Sequence, residues 1–148
     1  YVKKRATWQQ AERECRRKGA TLASVHSSSE NEFIYRLTKN YAEAGLSPYN
    51  TLWLGRIKPK PGGGGYMWHD GSTFNYTKWA YQHPNNLESG DNCIAFYNRR
   101  LNCENEYQYF KRWIDLCCDK KLREGFVCKK FYESDLSYFA PLATLATT

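Results

Sequence analysis

The groups able to do chemistry in this chain are few and unevenly placed. Six cysteines occur, Cys15, Cys93, Cys103, Cys117, Cys118 and Cys128, and four of them fall within 93–118. As zinc ligands they fit poorly: no Cys-x2-4-Cys pair is present, and adjacent Cys117 and Cys118 suit no tetrahedral site. As disulfides they fit an oxidising, secreted or extracellular setting, and their number alone leaves many pairings open. The histidines are His26, His69 and His83, and none belongs to a His-Glu-x-x-His helix; no Gly-x-Ser-x-Gly elbow exists either. A small secreted basic hydrolase is therefore the weaker alternative, and the expectation is a non-catalytic chain. Asn75-Tyr76-Thr77 is an N-glycosylation sequon. The segment 97–112 gathers Tyr97, Arg99, Arg100, Tyr107, Tyr109, Phe110, Lys111 and Arg112, residue types enriched where proteins grip a partner; a solvated hairpin face is the competing reading.

The elements that must position these groups come from a chain of 148 residues, a length that fits one domain. Five Trp, twelve Tyr and seven Phe are too many for a disordered chain. No apolar run approaches the roughly 18 residues of a membrane-spanning helix. The chain opens at Tyr1 with neither Met nor an apolar leader, as expected of a mature or trimmed domain. Its formal charge is +7; residues 1–18 hold seven basic and two acidic side chains, and 99–130 hold nine and five. Such a field can attract nucleic acid, sulfated glycans or anionic lipid. Nucleic acid is not the expected partner, because neither zinc-finger spacing nor an aromatic RNA-binding signature is present.

Thr7 and Gln10 form a capping box ahead of a helix with Trp8, Ala11 and Cys15 on one face, ended by Gly19. Thr21–Val25 reads as a short strand. Ser27 and Glu30 predict a second capping box, and Phe33, Ile34, Leu37 and Tyr41 predict the stripe by which the second helix meets the core. Residues 45–50 read as a loop. Leu52–Leu54 is then a buried strand, Lys58–Gly65 a Pro/Gly loop, and Tyr66–Trp68 with the turn His69–Ser72 a hairpin. Cys93–Tyr97 and Phe126–Cys128 are further strands. Residues 131–148 read as a tail or linker after a domain spanning 1–130.

Together these landmarks resemble the C-type lectin-like domain. The pieces that carry the resemblance are Trp8-Gln-Gln-Ala-Glu-Arg-Glu-Cys15, Gly19-Ala-Thr-Leu-Ala-Ser-Val25, Glu30-Asn-Glu-Phe-Ile34, Trp53-Leu-Gly55, Trp68-His-Asp-Gly-Ser72 and Trp79. Pro84-Asn-Asn86, Cys93, Trp113-Ile-Asp115, Cys118 and Phe126-Val-Cys128 continue the order. The resemblance implies an α+β fold: two helices, small antiparallel sheets closed by the two chain ends, and a long loop region stapled by disulfides. It also implies the pairs Cys15–Cys128 and Cys93–Cys118, which leaves Cys103 and Cys117 to staple the expanded segment, or to bridge between molecules.

Members of this family that bind sugar do so through calcium held in the long loop region. The usual ligands are Glu-Pro-Asn or Gln-Pro-Asp, a following acid, and Trp-Asn-Asp. The matching positions here are His83-Pro84-Asn85, Asp91 and Trp113-Ile114-Asp115. Asn85, Asp91 and Asp115 can donate oxygen; His83 offers nitrogen to a hard cation, and Ile114 offers no side-chain ligand. Glu88 lies in the same loop. At an auxiliary calcium site Lys58, Gly62 and Asn92 stand where acids are expected. The expectation is a recognition domain with a weak or vestigial calcium site and no other cofactor, binding protein or anionic glycan at an extracellular surface, alone or as part of a larger receptor. Its candidate contacts are His83, Asn85, Glu88, Arg99, Arg100, Lys111 and Arg112. The alternative is a calcium-dependent sugar-binding lectin using His83-Pro84-Asn85, Asp91 and Asp115.

Overall fold

A computed structural model describes residues 1–39, 47–87, 90, 92–100 and 104–132. Tyr41, Glu88, Asp91, Cys103 and the tail 133–148 lie outside the described residues. The first helix, α1 (Trp8–Arg17), starts where the capping box predicts: Thr7 Oγ1 accepts from Gln10 N at 3.2 Å, and Gln10 Oε1 accepts from Thr7 N at 3.0 Å. Trp8, Ala11 and Cys15 are its buried face. Gly19, at φ 68°, then turns the chain into β1 (Thr21–Leu22). Only two residues of the expected strand 21–25 are regular; β1 pairs antiparallel with β6 (Cys128–Lys129), Thr21 opposite Lys129.

The second helix, α2 (Ser28–Thr38), corrects two expectations. Ser27 Oγ accepts from Glu30 N at 3.1 Å, but the Glu30 carboxylate reaches His26 N and Lys129 Nζ. The buried positions are Asn31, Ile34 and Thr38, while Phe33 is 57% and Leu37 45% exposed. Polar bonding sets this rotation. Asn31 Oδ1 accepts from Trp113 Nε1 at 2.8 Å, and Asn31 Nδ2 donates to Lys111 O at 2.9 Å. One buried and one half-buried hydrogen bond outweigh a modest apolar contact when the alternative leaves the indole N–H unpaired.

The main sheet has the order β3-β2-β4-β5, all antiparallel, from β2 (Leu52–Pro59), β3 (Tyr66–Trp68), β4 (Cys93–Phe96) and β5 (Trp113–Leu116). β2 and β3 form a hairpin with Ile57 opposite Trp68, and β2 extends into the Lys58–Gly65 segment expected to be loop. Side-chain alternation divides the core in two. Trp53, Cys93, Ala95 and Ile114 pack with Trp8, Ala11 and Cys15 of α1. Leu52, Leu54, Ile94, Phe96 and Trp113 face the other way, against Ile34 of α2, Trp68 and the partly buried Phe74, Tyr76 and Trp79.

Among the described residues two disulfides join these pieces: Cys15–Cys128 ties α1 to β6, and Cys93–Cys118 ties β4 to the turn after β5. They are the pairs the resemblance implies. The expected Cys103–Cys117 bridge falls partly outside the described residues; Cys117 Sγ lies 2.9 Å from Asp119 Oδ1. The two ends of the domain meet, Val2 N donating to Phe126 O at 2.9 Å and Phe126 N to Val2 O at 3.0 Å. Among the described residues no helix is long and apolar enough to cross a membrane.

Candidate functional site

The loop after Trp79 reaches the end of β5 at Asp115. Trp113 N donates to Lys78 O and Ala80 N to Trp113 O, so the loop is laid along β5 before it arrives there. The His83–Pro84 bond is cis, and His83, Asn85 and Asn86 all meet one carboxylate. His83 Nδ1 lies 2.9 Å from Asp115 Oδ1; a carboxylate only accepts, so the imidazole donates. Asn85 N donates to both Asp115 oxygens at 3.0 Å, and Asn86 N donates to Oδ2 at 2.7 Å. The Asp115 side chain has 0% exposure. Burial pushes its carboxyl pKa up, but the His83 imidazole and the Asn86 and Asn85 N–H groups outweigh that and hold it below the usual value.

The other residues of the expected calcium set diverge. Asn85 Oδ1 accepts from Asn86 Nδ2 at 3.0 Å. Ile114 alternates with Trp113 and Asp115 along β5 and is buried against the α1 core. Asp91 and Glu88 lie outside the described residues. At the auxiliary positions Lys58 is exposed, and the buried Asn92 turns its Oδ1 to Arg56 Nη2 at 3.2 Å. Among the described residues no three His, Cys, Asp or Glu side chains cluster as a metal site would require.

The basic segment also separates into unlike parts. Arg99 was expected at a ligand surface; instead it is 3% exposed and paired with buried Glu124. Its neighbour Arg100 faces solvent, pairs with Glu106 at 3.2 Å and covers the Phe110 ring. Lys111 Nζ bonds Glu32 at 2.6 Å and sits over Tyr35 and Phe110. Arg112 donates to Tyr107 O and Trp79 O. These cations chiefly pin the insertion to α2 and the Trp79 loop. Tyr107, 68% exposed, and Asn75 of the sequon do face solvent.

A cluster that the sequence reading missed joins Glu12, Thr21 and His69. Thr21 Oγ1 donates to Glu12 Oε1 at 2.5 Å, Leu22 N donates to Oε2 at 3.1 Å, and His69 Nε2 lies 3.1 Å from Oε2. Arg56 N donates to His69 Nδ1 at 3.3 Å, which fixes the ring proton on Nε2. A hydroxyl beside a histidine and a carboxylate invites comparison with a catalytic triad. Here both partners crowd the protonated nitrogen, so the imidazole has no lone pair to take the threonine proton. Ser24 likewise gives its proton to Asp70 Oδ2 at 2.6 Å rather than to His26.

The Glu12 cluster sets an acid limit to stability. Burial raises the Glu12 pKa, but the bonds from His69, Thr21 and Leu22 N–H win, and it falls from its ordinary 4.5 to about 2. A depressed folded-state pKa gives stability that is complete above 4.5 and lost as pH falls toward about 2. Urea unfolding followed across that window should show a steep acid limb that E12Q flattens. Equal slopes for the two proteins would mean that the cluster is not linked to folding.

Among the described residues two helices, a four-stranded antiparallel sheet, a two-stranded sheet between the ends, and disulfides across both define a C-type lectin fold. The chain belongs to the C-type lectin family: the family model described as "Lectin C-type domain" matches residues 4–130. It is a non-catalytic domain of that family. Ladderlectin of Oncorhynchus mykiss is 32% identical over 132 residues, covering 87% of this chain and 60% of the ladderlectin sequence. The lectin CEL-I from Cucumaria echinata superposes with a TM-score of 0.65 at 24% identity, over 89% of this chain and 88% of CEL-I. A calcium-independent type II antifreeze protein superposes with a TM-score of 0.53 at 30% identity, over 80% of this chain and 75% of that one.

Proposed function

We propose that the chain is an extracellular recognition domain that binds protein or anionic glycan ligands without depending on calcium. The observation that carries this reading is the saturation of Asp115. Its two oxygens already take the His83 imidazole and the N–H groups of Asn85 and Asn86, with no exposed face. A Ca2+ ion seeks six to eight oxygens at roughly 2.3–2.6 Å. To recruit Asp115 it would have to displace three donors and accept a histidine as neighbour, while Ile114 gives it nothing. The residues do not fit the ion. The same donors explain what replaces it: positive ends of N–H groups and an imidazole hold the loop against the carboxylate.

Two further observations support the reading. The fold accommodates calcium independence, because one of the similar structures is described as a calcium-independent protein. The disulfides Cys15–Cys128 and Cys93–Cys118 suit an oxidising, extracellular compartment. Melting temperatures in EDTA and in 1 mM-range calcium, about the level at which extracellular modules saturate, are expected to coincide. Retention on mannose or galactose resins sensitive to EDTA should be absent. A large calcium-dependent stabilisation, abolished by Asp115→Ala, would overturn the proposal and favour the sugar-binding alternative through Asn85, Asp91 and Asp115.

A further inference from the structure

Away from the Asp115 loop, the chain builds a second concave surface of about 300 Å3 beside α1. Its cations are Lys4 and Arg5 of the N-terminal segment, Arg13 and Arg17 of α1, and Lys121 of the turn before β6. All five are exposed. One carboxylate shares the groove, Glu14, which Lys4 engages at 3.2 Å. Among the described residues Arg5, Arg13, Arg17 and Lys121 have no carboxylate partner. Like charges crowded into one groove repel, and they persist on a folded surface at a cost that a bound anion would remove.

The groove is held rigidly although it is surface. Three separate segments supply the cations, and backbone bonds clamp them together: Trp8 N to Cys118 O at 3.0 Å, Leu122 N to Ala6 O at 3.1 Å and the Val2–Phe126 pair. Arg13 and Arg17 stand one helical turn apart on the same face of α1. The backbone positions that carry the cations are therefore prearranged, and binding has only their side chains to order.

The geometry points to a sulfated glycosaminoglycan as the occupant of this groove. The groove offers no aromatic face for stacking bases, since Phe126 at its floor has 0% exposure, which disfavours single-stranded nucleic acid. It offers no protruding apolar side chain to enter a bilayer, Ala6 being buried too, which disfavours a lipid surface. What remains is a line of guanidinium and ammonium groups suited to sulfates along a flexible polar chain, and guanidinium forks hold such oxyanions by paired hydrogen bonds. The assignment rests on the calcium-independent recognition proposed above and names its ligand class and place.

Heparin is the probe, with affinity measured by calorimetry at low and at moderate salt. Wild type should bind, weakening steeply as salt rises. R13Q/R17Q should bind roughly tenfold more weakly, the scale of about 1.4 kcal/mol of lost charge-assisted contact. K60Q/K78Q, which removes equal charge outside the groove, should stay within about twofold. Melting curves of both variants should stay close to wild type, because Arg13, Arg17 and Lys60 are exposed and Lys78 is only half-buried. Equal losses for the two double variants would reduce the effect to net charge and overturn the groove. Absent heparin binding would overturn it as well, and tighter binding to a duplex DNA or to phosphatidylserine vesicles would overturn the ligand class. Heparin binding abolished by EDTA would instead sink calcium independence while leaving a groove defined by R13Q/R17Q in place.

Discussion

Replacing Asp115 by Ala should lower the unfolding free energy by about 3 kcal/mol, the scale seen when a buried carboxylate with several donors is removed. The change strands the N–H groups of Asn85 and Asn86 and the His83 imidazole, all of which point at one buried carboxylate. Denaturant unfolding near neutral pH measures it. A loss below about 1 kcal/mol would mean that the loop is held elsewhere. Acid should reproduce part of the effect in the wild-type protein. The Asp115 pKa is depressed in the folded state, so its contribution is complete above the ordinary carboxylate range and is lost as pH falls through the lower folded value. D115A should lack that part of the acid dependence.

Gly125→Ala is expected to cost more still, about 3–5 kcal/mol, combining a left-handed backbone penalty with overpacking. Gly125 has φ 88°, and an added Cβ would overlap Val2 O and come within 2.9 Å of Lys3 Cα. Those neighbours are backbone and cannot swing aside. The methyl group must push the N-terminal segment off Phe126 and break the two bonds that close the domain. Thermal melting and hydrogen exchange at Val2 and Phe126 should register it together. An unchanged melting temperature would show that the N-terminal segment is dispensable to the fold.

Periodic features were legible in the chain before the structure. The α1 face of Trp8, Ala11 and Cys15 and its reciprocal cap follow from spacing within a few residues, and both are present. The rotation of α2 was not legible, because the partner that turns Asn31 inward, Trp113, lies 82 residues away. Arg99 and Arg100 read as one basic patch, yet alternation in extended chain sends one to buried Glu124 and leaves the other in solvent. At the loop site, residue types raised the expectation that His83 and Ile114 offer calcium no side-chain oxygen. They could not indicate that His83 would bond Asp115, a pairing across 32 residues made by the loop's path. The Glu12–His69 contact, across 57 residues, was invisible for the same reason.

The Cys15–Cys128 bond changes what the domain does under mechanical load. Its cysteines are 113 positions apart in sequence, and the strands flanking them bring the two ends of the domain side by side. A pull applied between the ends travels through the sulfur bridge and bypasses nearly everything between, including the sheet and the Asp115 loop. Only the residues before Cys15 and those after Cys128 can be peeled away while that covalent path holds. Lys4, Arg5 and Arg13 are among them. Tension between the two ends would thus strip one wall from the basic groove and leave the loop untouched, so the two surfaces would differ in how force affects them.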